Sequence, residues 1–209
     1  MSSNRRRNFG QLHVAIVAFF MSSLALAQMS TQGEKKAVQL ANQDCARCHG
    51  VSGDSPFPWV PRLAAQRASY LKAEILDFRT HERSELLARD IMQGRAANID
   101  DETAASLAGY YARQPPAPGT PGDPERVARG RALFEQSNES RGACMTCHGQ
   151  HAEGVGIFPR LAGQHAVYLQ YQLRVKQHDR RRTSVMHGMI SELSPEDMID
   201  LAVYLQSIP

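Results

Sequence analysis

Two copies of a Cys-x-x-Cys-His pentapeptide constrain this chain more than any other feature of its sequence. They occupy residues 45–49 and 144–148, and together they contain all four cysteines among the 209 residues. This pentapeptide is the attachment signature of c-type haem, in which two thiols bond to the porphyrin and the adjacent imidazole lies beneath the iron. No cysteine remains for a disulfide, a nucleophile or a separate metal site. The sequence therefore predicts two covalently bound haem c groups.

Two other uses of paired cysteines fit the sequence less well. Structural zinc sites usually place their two Cys-x-x-Cys pairs about 15–20 residues apart, whereas 95 residues separate Cys48 from Cys144. A thioredoxin-like pair would belong to a βαβ unit, and the sequence has no convincing strand pattern.

Residues 1–27 have the pattern of a secretion signal. Three arginines at 5–7 precede a largely apolar stretch, and Ala25-Leu26-Ala27 fits the small-x-small cleavage rule. We expect cleavage after Ala27 and a periplasmic location. The second and third arginines also fit part of a twin-arginine signal, but haem attachment after export requires an unfolded chain, which favours the Sec route. The alternative is an uncleaved N-terminal anchor facing the periplasm, although the apolar stretch is short for a span of about 20 residues.

Removal of that segment also changes the charge balance. The whole chain has 24 Lys and Arg against 21 Asp and Glu, and residues 1–27 contain three arginines and no acid. The mature chain then has 21 charges of each sign, so nucleic acid is not an expected partner.

The mature chain is an internal duplication. Its predicted parts are domain 1 at 28–113, a linker at 114–123 with four prolines and two glycines, and domain 2 at 124–209. Besides the pentapeptide, the halves share Pro-Arg-Leu-Ala-x-Gln at 61–66 and 159–164, Tyr-Leu at 70 and 168, Met-x-Gly at 92 and 186, and Leu-Ala-x-Tyr at 107 and 201.

Helical patterns predict an all-α fold. In the first half they cover Gln32–Ala41, Gln66–Arg79 and Asp101–Arg113, and in the second Pro124–Gln136, Gln164–Gln177 and Pro195–Gln206. Ser194 and Asp100 are the expected N-caps of the two last helices. We expect the haem-facing residues to lie in the loops between helices.

These motifs, in this order, resemble class I cytochrome c domains, and two in tandem resemble the dihaem cytochrome c4 family. The resemblance implies thioether bonds at Cys45 and Cys48 in domain 1 and at Cys144 and Cys147 in domain 2. It implies iron ligation by His49 and His148, with the carbonyls of Pro61 and Pro159 accepting the imidazole N–H groups. It also implies that the two haems face each other across an interdomain contact.

A methionine is the expected sixth ligand of each iron. Met92 is the single methionine between the first haem motif and the linker, and the repeat register pairs it with Met186. Met189 is the main rival, whereas Met198 lies in the last helix, where core packing is expected. Five further histidines have no counterpart at the same repeat position, which disfavours a shared His/His scheme and leaves most of them on the surface; they are His81, His151, His165, His178 and His187.

Two further features carry less information. Arg174, Lys176 and the arginines at 180–182 form a basic patch that either steers an acidic redox partner or is ordinary solvated charge. Trp59, the sole tryptophan, fits haem packing or core filling equally well.

The sequence therefore predicts a dihaem single-electron carrier rather than an enzyme, since a His/Met pair leaves no open iron position. The resemblance implies transfer from a quinol-oxidising complex to a terminal oxidase or another reductase. Peripheral association with the membrane is a further expected contact. Two alternatives remain: a cytochrome subunit of a periplasmic dehydrogenase, and a small dihaem enzyme such as a peroxidase or a thiosulfate-oxidising enzyme.

Overall fold

Helices joined by turns and loops make up the computed structural model, which describes residues 32–86, 88–139, 141–178 and 184–209. No β-strand occurs in these ranges, and the predicted all-α class is confirmed. The predicted signal segment with its cleavage position, and the arginines at 180–182, lie outside the described residues. Among the helices that are described, none has the length and apolar character needed to cross a bilayer.

The first half contains four helical segments. Helix α1 covers residues 32–49 and widens into a π-helical turn at Ala41–Cys45 before its last turn at Ala46–His49. Helix α2 is Ala68–Arg79, α3 consists of a π-helical turn at Ala88–Met92 followed by Gln93–Ala96, and α4 is Asp101–Ala112.

The second half repeats this order with a shorter attachment helix. Its segments are α5 (Pro124–Glu135), α6 (Met145–His148), α7 (Ala166–Gln177), α8 (Ser184–Ile190) and α9 (Pro195–Ser207). All six predicted helices are present with ends within two residues of expectation, except that the first continues to His49. The exception arises because the Cys-x-x-Cys-His segment adds its own helical turn to the end of α1.

Local capping chemistry explains where the last helix of each half begins. Asp100 accepts a hydrogen bond from the Thr103 N–H at 2.7 Å. Ser194 and Asp197 form a complete capping box, in which each side chain bonds the other residue's backbone N–H. Both arrangements satisfy amide groups that have no partner inside the helix, as the sequence predicted.

Each half packs around its own apolar core. Small residues are prominent in the first core, which consists of Ala37, Ala41, Leu71, Leu107, Ala108 and Tyr111. The second core is richer in large side chains, including Phe134, Leu169, Leu173, Ile190, Met198, Leu201 and Leu205. Met198 therefore lies in the core as its helical position predicts, at 1% exposure.

Residues 115–123 connect the halves without a helical turn and lie against the second half. The Thr120 N–H donates to the Gln206 carbonyl at 2.9 Å, and Ala117 is buried. The connection is thus fixed to the end of α9 over part of its length.

Helices α5 and α9 approach most closely at Gly130. A Cβ atom at this position would overlap the Asp200 carbonyl oxygen and lie 2.7 Å from the Tyr204 Cβ. The absence of a side chain at residue 130 therefore sets the distance between the two helices.

The substitution Gly130→Ala is expected to lower the free energy of unfolding by about 1–3 kcal/mol, because the helices must separate to admit the methyl group. This loss outweighs the gain of about 1 kcal/mol that alanine brings to a helix interior. Gly109→Ala is the control, since its Cβ would meet just the mobile end of Arg113 at 3.2 Å. Denaturant titration of both variants measures the difference, and equal effects would contradict this account of the helix contact.

Candidate haem sites

Each Cys-x-x-Cys-His segment forms a short helical turn that ends at its histidine. The following glycines, Gly50 and Gly149, have φ values of 76° and 86° and turn the chain away from the helix. A side chain at Gly50 would collide with the Asp54 carbonyl oxygen. Glycine at this point is thus required both by the backbone conformation and by the close approach of the next loop.

The four cysteines lie within the described residues, and none of them forms a disulfide. Cys48 is exposed, and the other three are half-buried. Burial raises the pKa of Cys45 and of Cys144. Cys45 and Cys144 are therefore protonated at neutral pH, which makes these two thiols weak nucleophiles.

Both predicted proximal histidines are buried and bonded as the resemblance implies. His49 Nδ1 lies 2.9 Å from the Pro61 carbonyl oxygen, and His148 Nδ1 lies 3.0 Å from that of Pro159. A carbonyl can only accept, so Nδ1 carries the proton and donates it. Burial lowers the pKa of both imidazoles, which keeps them neutral with a free lone pair on Nε2.

His148 provides a direct test of whether these residues fit a haem iron. Its Nε2 atom is fully buried and has no hydrogen-bond partner within the described part of the chain. A buried polar atom without a partner costs about 1–3 kcal/mol, and coordination to a metal would remove that cost. The donor set of one neutral imidazole and two nearby thiols fits haem c.

A repeated loop holds each proline carbonyl in place. The Gly53 carbonyl accepts from the N–H groups of Leu63 and Ala64, and the Ala152 carbonyl accepts from those of Leu161 and Ala162. Residues 53 and 152 both have positive φ, 82° and 54°. The two halves therefore use the same strained turn to return the chain beneath the histidine, once with glycine and once with alanine.

The predicted methionine ligands lie in short helices rather than in loops, so the expectation of a loop position is wrong. Met92 ends the π-helical turn of α3 and packs against Phe78 and Ala96. Met186 lies in α8, where it and Met189 both pack against the second core. The packing does not separate these two methionines, and the repeat register remains the ground for choosing Met186.

A buried ion cluster supports the segment that carries Met92. Arg83, 6% exposed, pairs with Glu74 at 2.5 Å and with the equally buried Glu85, and its guanidinium lies 4.3 Å from the Phe78 ring centre. Gln93, the residue after Met92, donates to the Arg83 carbonyl at 2.7 Å. The cluster thus connects α2 to the middle of α3.

Of the other histidines, His81, His151 and His178 are exposed, His187 is half-buried and His165 is buried. His81 donates to the Gln93 side-chain oxygen at 2.7 Å, and His187 Nδ1 lies 3.2 Å from the Lys176 carbonyl. His165 is buried, against the expectation for most of this group, and its Nε2 lies 2.9 Å from the Ser55 carbonyl of the other half. Sequence reasoning missed this contact because nothing in the repeat pattern distinguishes His165.

Trp59 does not fill a core, so that alternative is wrong. It is 58% exposed and stacks on Phe57, with 5.7 Å between ring centres.

Part of the contact between the halves is formed by two glutamines and two arginines to which the sequence pattern assigned no interdomain role. Gln66 bonds the backbone of Arg160, and Gln164 bonds the backbone of Arg62. All four belong to the repeated Pro-Arg-Leu-Ala-x-Gln motif, and the repetition of that motif was the available signal.

A helical fold with two histidine–proline pairs, each beside a Cys-x-x-Cys, defines a dihaem c-type cytochrome. The family model for cytochrome c matches residues 127–209. The chain is 34% identical over 184 residues to cytochrome c4 of Pseudomonas aeruginosa, covering 84% of this chain and 89% of that one. It is 31% identical over 206 residues to a thiosulfate dehydrogenase electron acceptor of Stutzerimonas stutzeri, covering 92% of both.

A solved structure agrees. Cytochrome c4 of Acidithiobacillus ferrooxidans superposes with a TM-score of 0.74 at 36% identity, covering 78% of this chain and 98% of that one. This chain belongs to the cytochrome c4 family. It is an electron-transfer protein with two covalently bound haem c groups, and the reading of it as a small dihaem enzyme is set aside.

The substitution Arg83→Ala is expected to lower the free energy of unfolding by about 3–5 kcal/mol, because it removes the positive charge that faces the buried Glu85 carboxylate and the half-buried Glu74 carboxylate. Arg89→Ala is the matched control. Arg89 lies six residues after Arg83 and pairs with Asp90 on the surface, and such a pair contributes about 1 kcal/mol at most. Denaturant unfolding of the dihaem protein, followed by haem absorbance, measures both. A loss at Arg83 no greater than that at Arg89 would show that the cluster does not support this segment.

Proposed function

We propose that the chain is an exported single-electron carrier in which each iron has one histidine and one methionine ligand. Thioethers form at Cys45 and Cys48 and at Cys144 and Cys147; the axial pairs are His49 with Met92 and His148 with Met186, and the carbonyls of Pro61 and Pro159 orient the imidazoles. The observation that carries the proposal is the matched pair of buried, neutral histidines, each with Nδ1–H on a proline carbonyl and Nε2 left to coordinate.

Haem c supplies the one-electron couple, and the chain's own residues decide what that couple can do. The proline carbonyls hold a proton on Nδ1, which fixes the tautomer and increases the basicity of Nε2. Methionine, a soft and neutral ligand, raises the potential and closes the sixth position. An iron closed on both sides exchanges electrons without binding oxygen or peroxide.

The physiological partners are redox proteins. The proposed route accepts electrons from a quinol-oxidising complex and passes them to a terminal oxidase or another reductase. The likeness to an electron acceptor of thiosulfate dehydrogenase supports a second donor, a dehydrogenase that this chain serves either as a free carrier or as a bound subunit. Co-purification with a catalytic subunit distinguishes the bound form from the free one.

The proposed location is the periplasm, with cleavage after Ala27 releasing the two domains at 28–113 and 124–209. An N-terminal anchor that faces the periplasm is the alternative, and it would hold the carrier close to the membrane complexes. N-terminal sequencing of the purified dihaem protein decides between them.

Carbon monoxide is expected to leave the absorption spectrum of the fully reduced protein unchanged at neutral pH, because firm protein ligands occupy both irons. The protein is first shown to be natively folded by circular dichroism. Stoichiometric CO binding would reveal an open or labile iron and overturn the proposed ligand set.

The substitutions Met92→His and Met186→His are each expected to retain both haems and to lower the potential of one of them. Axial ligands span about 0.8 V in haem proteins, and imidazole favours the oxidised iron more than a thioether does. Spectroelectrochemical titration measures the shift, and Met189→Leu is the control that should leave both potentials in place. If Met189→Leu removes the methionine signature and Met186→His does not, Met189 is the ligand.

A further inference from the structure

The peptide group that orients each proximal histidine also makes a hydrogen bond to the opposite domain. The carbonyl between Pro61 and Arg62 accepts from His49 at 2.9 Å, and the N–H of the same peptide donates to Gln164 Oε1 at 2.9 Å. The second half mirrors this arrangement. The carbonyl of Pro159 accepts from His148 at 3.0 Å.

The N–H of that second peptide belongs to Arg160, and it donates to Gln66 Oε1 at 2.7 Å. Each glutamine therefore belongs to one domain and bonds the histidine-orienting peptide of the other. Both glutamine side chains are buried, at 6% and 7% exposure.

Hydrogen bonding fixes the orientation of both amides. Each Nε2 donates to an arginine carbonyl across the interface, at 2.9 Å for Gln164 to Arg62 and 2.9 Å for Gln66 to Arg160. Each Oε1 also accepts from the backbone N–H of the following residue, which is Arg67 for Gln66 and His165 for Gln164. A flipped amide would place its NH₂ group against two N–H donors, so just one orientation satisfies every group.

Further interdomain bonds hold this arrangement together. Arg62 Nη1 donates to the Gly163 carbonyl at 2.5 Å, and Ser69 Oγ donates to the Gly156 carbonyl at 2.7 Å. His165 bonds the Ser55 carbonyl, while Ser55 Oγ donates to the Cys48 carbonyl within the first attachment segment. The two crossed glutamines thus lie in an interdomain contact to which other residues of both halves also contribute hydrogen bonds.

A chain of hydrogen bonds polarises its members. When a peptide N–H donates, the carbonyl of that peptide becomes a stronger acceptor, and a stronger acceptor on Nδ1–H makes the imidazole a better electron donor to the metal. We propose that Gln66 and Gln164 are crossed positioning residues, each of which lowers the potential of the haem in the opposite domain. This inference rests on the proposed ligation by His49 and His148.

The test replaces each glutamine in the full dihaem protein and measures both potentials, with the haems distinguished by their own hyperfine-shifted NMR signals. Gln164→Ala is expected to raise the potential of the haem at Cys45 and Cys48 more than that of the other haem. Gln66→Ala is expected to do the reverse, acting on the haem at Cys144 and Cys147. A role confined to local structure would shift the haem of the substituted domain or both haems equally.

Matched controls are available within each half. Gln206 accepts from the Ala166 N–H at 2.8 Å, and Gln114 donates to the Tyr110 carbonyl at 3.1 Å, so both bond backbone groups of their own half. Their alanine variants remove a comparable bond and should leave both potentials unchanged. Equal shifts in these controls and in the crossed variants would overturn the inference.

A second variant and a second readout cover the case in which alanine opens the interface. Gln164→Glu retains an acceptor for the Arg62 N–H and adds charge, although it loses the donor to the Arg62 carbonyl. The added charge should shift the first haem to a lower potential, opposite in sign to the alanine variant. Proton exchange at His49 Nδ1 should accelerate in Gln164→Ala and not in Gln206→Ala. Carbon monoxide binding to the unsubstituted protein tests the proposed iron ligands separately. If carbon monoxide does not bind and each glutamine variant fails to shift the haem of the opposite domain more than its own, this inference alone is rejected.

Discussion

A hydrogen bond from a buried histidine to a proline carbonyl is the interaction on which both halves of this molecule depend. It fixes which imidazole nitrogen carries the proton, and it leaves a lone pair on the other nitrogen; in His148 that second nitrogen is fully buried. The strained turn at Gly53 and Ala152 exists to bring that carbonyl under the ring. Without this bond, burial of a polar imidazole would be costly in both domains. The fold and the site therefore depend on the same loop, because the loop that ends at the proline carbonyl also orients the histidine.

Duplication gives this bond a second use. Because both halves contain the same Pro-Arg-Leu-Ala-x-Gln motif, a pseudo-twofold contact places each glutamine on the other half's arginine backbone. One motif therefore supplies the carbonyl for its own histidine and the amide that acts on its partner domain. A single domain contains both components but cannot satisfy them by itself, since the acceptor of each glutamine NH₂ group and one donor to each glutamine oxygen lie across the interface. The interdomain contact thus follows from repetition of a sequence that already had a local role.

Much of the fold could be predicted from sequence because its signals are local. The pentapeptides, the repeat register and the caps at Asp100 and Ser194 each depend on neighbouring residues, and helix ends followed from them closely. The interface could not be predicted, because the partners of Gln66 and Gln164 are about 100 residues away in sequence and either glutamine reads as an ordinary polar residue at a helix start. The short helices that carry Met92 and Met186 were also missed, since a π-helical turn of five residues and a helix of seven give too little periodicity to separate a helix from a loop.

The two halves differ most in how they support the segment with the methionine. In the first, a charged cluster centred on Arg83 bonds the middle of α3 through Gln93. In the second, α8 packs against a core of large apolar side chains, and Gln177 of α7 donates to the Ile190 and Leu193 carbonyls. Charge interactions weaken with solvent access and have strict geometry, whereas apolar packing is non-directional. The same backbone pattern therefore rests on a charged cluster in one half and on apolar packing in the other, and we expect these unequal surroundings to separate the potentials of the two haems.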